Sequence, residues 1–242
     1  MAYTFEKSIY SYELCHNGAL KPSYLMRYMQ AAACLDLDAK GMTYEYLREH
    51  GIVFVLTKLK IEMDEAVCKN DTIKVESWPK CIKGVTFIRD FVILKNGKRV
   101  GYATTQWALM DFVNRRPVRP TSLPQTLPDE DHEYSREVEL ERHIAPPETA
   151  VACGTYTRRV MLSDLDENLH LNNTNYADIM LDYIPDFSEN KSFNAVQINF
   201  RGEARLGDEL EISVFADGDN VYYQAENITK GHTCFEGRFI LK

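Results

Sequence analysis

Residues 22–41 read PSYLMRYMQAAACLDLDAKG, and this stretch decides the architecture. Pro22 suits the opening turn of a helix, where its missing N–H costs nothing. Leu25, Tyr28, Met29, Ala32 and Leu35 recur at helical spacing, and Gly41 supplies the stop. A long helix with one apolar stripe must bury that stripe, and the chain beyond Gly41 reads as strand after strand. Ile52 to Met63, Thr72 to Trp78, Thr86 to Leu94 and Arg99 to Met110 are rich in β-branched and aromatic residues, and Asn96-Gly97 marks a hairpin between the last two.

The same order returns further along. Asn172 or Asn173 can cap a second helix whose stripe is Tyr176, Ile179, Met180, Tyr183 and Ile184, ended before Pro185. Strand-like runs come next at Phe193 to Phe200, Glu209 to Phe215, Val221 to Ile228 and Thr233 to Leu241, with turns at Asp217-Gly218 and Lys230-Gly231. Lys69-Asn70-Asp71 precedes a strand as Leu206-Gly207-Asp208 precedes its counterpart, so the chain reads as a duplicated unit. A long helix followed by an antiparallel sheet packs economically when the sheet curls around the helix. Two such units remove their exposed edges by pairing edge to edge. The expected fold is therefore α+β, a double hot-dog, with two unrelated α+β domains on a linker as the alternative.

Between the units, six of the nine prolines (Pro117, Pro120, Pro124, Pro128, Pro146, Pro147) share a segment with the acidic run Asp129, Glu130, Asp131 and the charged stretch Glu137 to Arg142. Proline removes donors and charge opposes burial, so this segment reads as a linker. The expected division is residues 1–116, an N-terminal unit; 117–150, the linker; and 151–242, a C-terminal unit.

With 242 residues, 45% hydrophobic, the chain has enough apolar surface to build an interior. A net charge of −8 opposes a non-specific grip on nucleic acid or anionic lipid. No apolar stretch approaches the roughly 18 residues of a membrane span, and the polar N-terminus has no basic segment leading into an apolar run. The six cysteines are scattered without a CxxC pair, which reads as free, mostly buried thiols in a reducing, cytoplasmic setting. No metal or cofactor is signalled: the histidine flanked by acids on both sides, in Asp131-His132 and His132-Glu133, lies in the linker.

The densest polar stretch is residues 163–173, SDLDENLHLNN, just before the second helix. Asp166, Asn168 and His170 stand at i, i+2 and i+4. In an extended segment their side chains share one face, with Leu165, Leu169 and Leu171 turned to the core. A capping loop is the plainer reading, since Asp and Asn abound before helices. The first unit decides between them, because its matching segment offers only Cys15, His16 and Asn17 before Gly18. A capping role would be needed in both units, so the second reads as the working half.

The run from Asp166 to Asn173 is similar to the D-x-N-x-H-x-N-N signature of the acyl-acyl-carrier-protein thioesterases of plants and bacteria. Tyr28-Met29-Gln30-Ala31-Ala32 resembles that family's first-helix segment, and Trp107 to Met110 followed by Asn114-Arg115-Arg116-Pro117 resembles its W-x-x-M-x-x-x-x-R-R stretch. Phe200-Arg201-Gly202-Glu203-Ala204 resembles the family's Y-R-R-E-C, placing Glu203 at its acid, on the strand after the second helix. The cysteine once proposed there as a nucleophile is Ala204 here, so a thiolate mechanism lacks its thiol.

The resemblance implies hydrolysis of a fatty acyl-carrier-protein thioester to a free fatty acid, ending fatty acid synthesis. It assigns Glu203 and His170 to activate water, Asn168 to orient water or thioester, and Asp166 either to position the imidazole or to attack. The unpaired N–H groups opening the second helix are the expected oxyanion site. Met26, Met29, Ala32 and Ala33 suit an acyl tunnel in the first unit, although core packing is the more common origin of such a stripe and none is singled out as a tunnel residue. The implied partner is an acidic acyl carrier protein bearing a phosphopantetheine arm, met by basic residues among Arg115, Arg116, Arg119, Arg158 and Arg159. A homodimer is the other expected association. An acyl-CoA thioesterase, a non-catalytic acyl-binding hot-dog protein and a hydratase on the same fold are the rival readings.

Overall fold

A computed structural model describes residues 2–128, 130, 132, 136, 138–185 and 191–242. Asp129, Asp131, Glu133 and Glu137 of the acidic linker lie outside the described residues. The first unit contains β1 (Tyr3–Ser8), α1 (Pro22–Ala39), α2 (Tyr44–Glu49), β2 (Ile52–Met63), β3 (Thr72–Lys83), β4 (Thr86–Lys95) and β5 (Lys98–Asp111). The second contains β6 (Val151–Arg159), α3 (Asn175–Asp182), β7 (Phe193–Phe200), β8 (Glu209–Asp217), β9 (Asn220–Asn227) and β10 (His232–Leu241). All ten strands join one antiparallel sheet in the order β1-β3-β4-β5-β2-β7-β10-β9-β8-β6. The seam is β2 against β7, with Lys58 opposite Asn199 and Glu62 opposite Ala195. Each unit thus closes the other's open edge, as the double hot-dog reading expects.

The core lies where sheet and helices meet. α1 buries Leu25, Met26, Tyr28, Met29, Ala32 and Ala33. Its last turn departs from the expected stripe: Leu35 is exposed and Asp36 is buried instead. Asp36 Oδ2 lies 2.7 Å from Arg89 Nη2 on β4, so an ion pair fastens this end of the helix to the sheet.

Three other expectations need correction. The second helix is not long: it has eight residues, starts after Thr174 rather than Asn172 or Asn173, and leaves Tyr183 and Ile184 beyond its end, still packed on the core. Asn172 acts from outside the helix, where its Oδ1 accepts from the Thr174 N–H and hydroxyl. α2 was not expected at all, yet Thr43 caps it through Oγ1, which accepts from the Tyr46 N–H. The cysteines are not mostly buried, since only Cys15 and Cys234 of the six are.

The described residues of the linker between the units pack against the sheet. Leu127, Val138 and Ile144 are buried, and the Glu141 carbonyl accepts from Lys58, Gln197 and Asn199. The polar outer faces of β2 and β7 near the seam are satisfied by its main chain.

Candidate active site

The two units repeat one local device. In the first, a 3-10 turn (Ser11–Glu13) leads to a bridge between Leu14 and Leu20; in the second, Leu162–Asp164 leads to a bridge between Leu165 and Leu171. Glu13 and Asp164 each accept a backbone N–H three residues earlier, from Tyr10 and Met161. The Leu20 N–H bonds the Val67 carbonyl as the Leu171 N–H bonds that of Ala204. This correspondence sets Cys15 opposite Asp166, Ala19 opposite His170 and Ala66 opposite Glu203.

The signature segment is consequently a tight reversal, not an extended strand. The Asp166 N–H donates to the His170 carbonyl at 2.8 Å, the Leu169 N–H donates to the Asp166 carbonyl at 3.0 Å, and Leu169 takes a left-handed φ of 62°. Alternation therefore fails here, and Leu169 points to solvent rather than to the core. The Asp166 carboxylate faces its own turn. Its Oδ1 accepts from the backbone N–H groups of Asn168 (2.8 Å) and His170 (3.2 Å). Asn168 turns toward α2, where its Oδ1 accepts from the Tyr44 hydroxyl.

Glu203 also departs from expectation, lying in a loop beyond the end of β7. The N–H groups of Arg201 and Gly202 both bond the Cys234 carbonyl, a bulge that lifts the chain off β10. A Cβ at Gly202 would fall 2.3 Å from the His232 ring, so a larger residue there needs that ring to move. The chain then bridges back from Arg205 to His170, which brings Glu203 beside the imidazole.

Glu203 Oε2 lies 3.2 Å from His170 Nε2, and Arg205 Nη2 lies 3.2 Å from the same nitrogen. One ring nitrogen thus faces an acceptor and a donor, and either protonation state has a partner. Arg115 Nη1, from the loop after β5, donates to both Glu203 oxygens at 2.8 and 2.6 Å. Burial of the imidazole is the main cause that holds His170 below the ordinary histidine pKa. Glu203 and Asp166 pull the other way, while Arg205 and Arg115 reinforce the depression. The ring is therefore neutral near pH 7 and available as a base.

The expected oxyanion site is partly taken by the chain itself. The Thr174 and Asn175 N–H groups are taken by the Asn172 side chain and carbonyl, and Arg27 of α1 contacts Thr174 Oγ1 and Asn175 Oδ1. Arg205 and Tyr44 were missed by sequence reasoning. Arg205 had a signal in its place two residues after Glu203; Tyr44 had none. Of the basic candidates, Arg115 is committed to Glu203 and Arg158 to Asp164 and Asp182, whereas Arg116, Arg119 and Arg159 are exposed. Ala204 is fully buried. Burial pushes the thiols of Cys234 and Cys15 up to about 11, far from a thiolate at neutral pH. Among the described residues, no group of three or more His, Cys, Asp or Glu is placed to share a metal ion.

Known proteins match along the whole chain. The acyl-ACP thioesterase N-terminal domain matches residues 2–122 and the C-terminal domain of the same family matches residues 150–236. The oleoyl-acyl carrier protein thioesterase 2 of Arabidopsis thaliana chloroplasts is 21% identical over 245 aligned positions, covering 92% of this chain but only 65% of its own length. The crystal structure of an acyl-ACP thioesterase from Bacteroides thetaiotaomicron superposes with a TM-score of 0.84 at 20% identity, covering 100% of this chain and 98% of that one. The 12:0-ACP thioesterase of Umbellularia californica superposes at 0.78 and 18% identity, covering 100% and 97%. The structural matches establish the double hot-dog fold, and the two domain matches, in order and over most of the sequence, establish that the chain belongs to the acyl-ACP thioesterase family.

Proposed function

We propose that this chain hydrolyses fatty acyl-acyl carrier protein thioesters, releasing free fatty acid. The observation that carries the reading is the pairing of His170 with Glu203 at 3.2 Å where the duplicate unit has Ala19 and Ala66. A reactive pair present in one copy and erased in the other is what chemistry confined to one unit requires. A protein that only bound acyl chains would need neither residue.

In the proposed reaction His170 takes a proton from a water molecule as the water oxygen bonds to the thioester carbonyl carbon, and Glu203 stabilises the imidazolium that forms. The carbonyl oxygen collects negative charge and needs a donor, for which the Asn168 amide is assigned. Collapse breaks the carbon–sulfur bond, and the imidazolium returns its proton to the departing sulfur. Asp166 holds the turn that carries His170, which favours positioning over attack for that carboxylate. The open hollow lined by Glu203, Arg205, Asp208, Lys230 and His232 is assigned to the phosphopantetheine arm. Arg116, Arg119 and Arg159 are assigned to the acidic carrier protein.

The N-terminal unit is proposed to hold the acyl chain. Its support is an apolar cavity of about 40 Å³ beside Leu20, Leu25, Ile61, Met63, Phe193 and Val196, at the erased site of the first unit and across the seam. Ligand pockets run to roughly 300 Å³ and more, so side chains there must move to admit a chain. The division at residues 116 and 151, a cytoplasmic setting and a homodimer complete the proposal; the open outer edge of β6, with Val151 and Tyr156 exposed, supports the last. No helix is long and apolar enough to cross a membrane among the described residues.

The test is hydrolysis of matched acyl carrier protein and coenzyme A thioesters across chain lengths, with released thiol measured by a chromogenic disulfide. Preference for the carrier protein supports the proposal. Preference for coenzyme A assigns an acyl-CoA thioesterase, and no thiol release from either leaves a binding protein or a hydratase.

A further inference from the structure

Two side chains of the N-terminal unit reach into the catalytic set of the other. Tyr44, first residue of α2, gives its hydroxyl to Asn168 Oδ1, and Arg115 gives Nη1 to both oxygens of Glu203. They are not independent. The guanidinium of Arg48 lies 5.6 Å from the Tyr44 ring and 4.6 Å from the Phe112 ring, tying α2 to the loop that carries Arg115. That loop is held in turn: Asp111 accepts the N–H groups of Val113 and Asn114, and its own carbonyl accepts that of Arg115. Arg115 sits there at a φ of 51°, a left-handed conformation that a residue with a Cβ keeps only when its surroundings impose it.

The counterpart of Asn168 shows what is special. Asn17 Oδ1 accepts from the Ala19 N–H of its own turn. Asn168 Oδ1 is taken by a residue 124 positions away, and the equivalent local duty falls to Asp166. With its oxygen held by the Tyr44 hydroxyl, the orientation of the amide is fixed and its two Nδ2 hydrogens are left to donate.

Resting on the proposed hydrolysis, we infer that Tyr44 and Arg115 are positioning residues for the thioester reaction. Tyr44 turns the Asn168 amide so that Nδ2 donates to the carbonyl oxygen of the substrate, and Arg115 fixes the Glu203 carboxylate against His170. The N-terminal unit, which has lost its own pair, is then still required for the chemistry of its partner unit. Both residues act through another side chain, and that makes them separable from residues that merely stabilise the fold.

A double-mutant cycle in the full chain tests this with an acyl carrier protein thioester. Tyr44→Phe and Arg115→Gly, the latter chosen because glycine accepts the φ, should each lower kcat by roughly 10-fold with KM changed less than about twofold. Tyr44→Phe should cost nothing further in an Asn168→Ala background, nor Arg115→Gly in a Glu203→Ala background. Additive losses, or full activity in both single variants, overturn the inference. An activity-independent arm uses NMR: Tyr44→Phe should shift the Asn168 side-chain amide resonance, and an unmoved resonance overturns the Tyr44 assignment. A wild-type protein inactive on every acyl thioester overturns the underlying reading instead, and so is a distinct outcome.

Discussion

Leu169, with a φ of 62°, occupies the backbone position that Gly18, with a φ of 80°, occupies in the first unit. The two units share the turn, but only the first has glycine in it. A residue with a Cβ costs about 1–2 kcal/mol in that region, and the Leu169 side chain, 68% exposed, recovers little by burial. Leu169→Gly should therefore raise Tm by about 2 °C, since glycine's larger entropy loss offsets part of the relief. A thermal melt decides; a lower Tm would mean that Leu169 packs against something its exposure does not reveal.

His170→Ala and Glu203→Gln should each reduce kcat by roughly 100-fold or more, the scale of a lost general acid-base group, while Tm moves little. The stability side rests on exposure: Glu203 is 49% exposed, and its ion pairs with Arg115 and Arg205 are open to solvent, where such pairs contribute little. Wild-type kcat in either variant removes that residue from the mechanism.

Much of this layout was legible in residue order, and the failures share a physical origin. The helix at Pro22, the strand runs and the hairpin at Asn96-Gly97 are local signals, and each stands where periodicity or turn chemistry puts it. The repeated order of helix and strands, with Lys69-Asn70-Asp71 matched by Leu206-Gly207-Asp208, betrayed the duplication. What misled was the i, i+2, i+4 spacing of Asp166, Asn168 and His170, because the Asp166 N–H closes onto the His170 carbonyl and cancels the alternation. Tyr44 and Arg115 meet the site only through tertiary closure of two units, while Arg205 reaches it through its bridge to His170 within the second unit. No window of sequence contains that closure.

The acid limb of kcat/KM should fall below the ordinary histidine range. The reaction needs a neutral imidazole, and burial, aided by Arg205 and Arg115 against Glu203 and Asp166, resists protonation of His170. Removing a cation makes the imidazolium easier to form, so Arg205→Gln should move the limb to higher pH, and Glu203→Gln should move any residual limb lower. Limbs that do not move in these opposite senses would assign the titration to another group.

A variant with all six cysteines replaced by Ser or Ala should keep measurable hydrolysis. Cys234 borders the Glu203 loop, its Sγ 3.7 Å from the Gly202 carbonyl, but burial holds it as a thiol. Complete loss of activity in a folded variant would restore a thiol nucleophile.

Chain-length preference locates the acyl chain. Methionines and small residues on α1 point to Ala32→Phe as the tunnel-blocking change, yet Ala32 is fully buried and does not line the cavity. Ala195 on β7 does line it, from the other unit. Ala195→Val places two further carbons into empty space, which should stabilise by up to about 1.6 kcal/mol at roughly 0.8 kcal/mol per buried methylene, and the same carbons should shorten the preferred acyl chain. Ala32→Phe instead overpacks a filled core and should cost about 1–3 kcal/mol with the chain-length profile unchanged. Melting curves measured beside product profiles for the two variants separate the sites. A stabilised Ala195→Val with the wild-type profile would leave the cavity real but unused by substrate, and a shifted profile in Ala32→Phe would return the tunnel to α1.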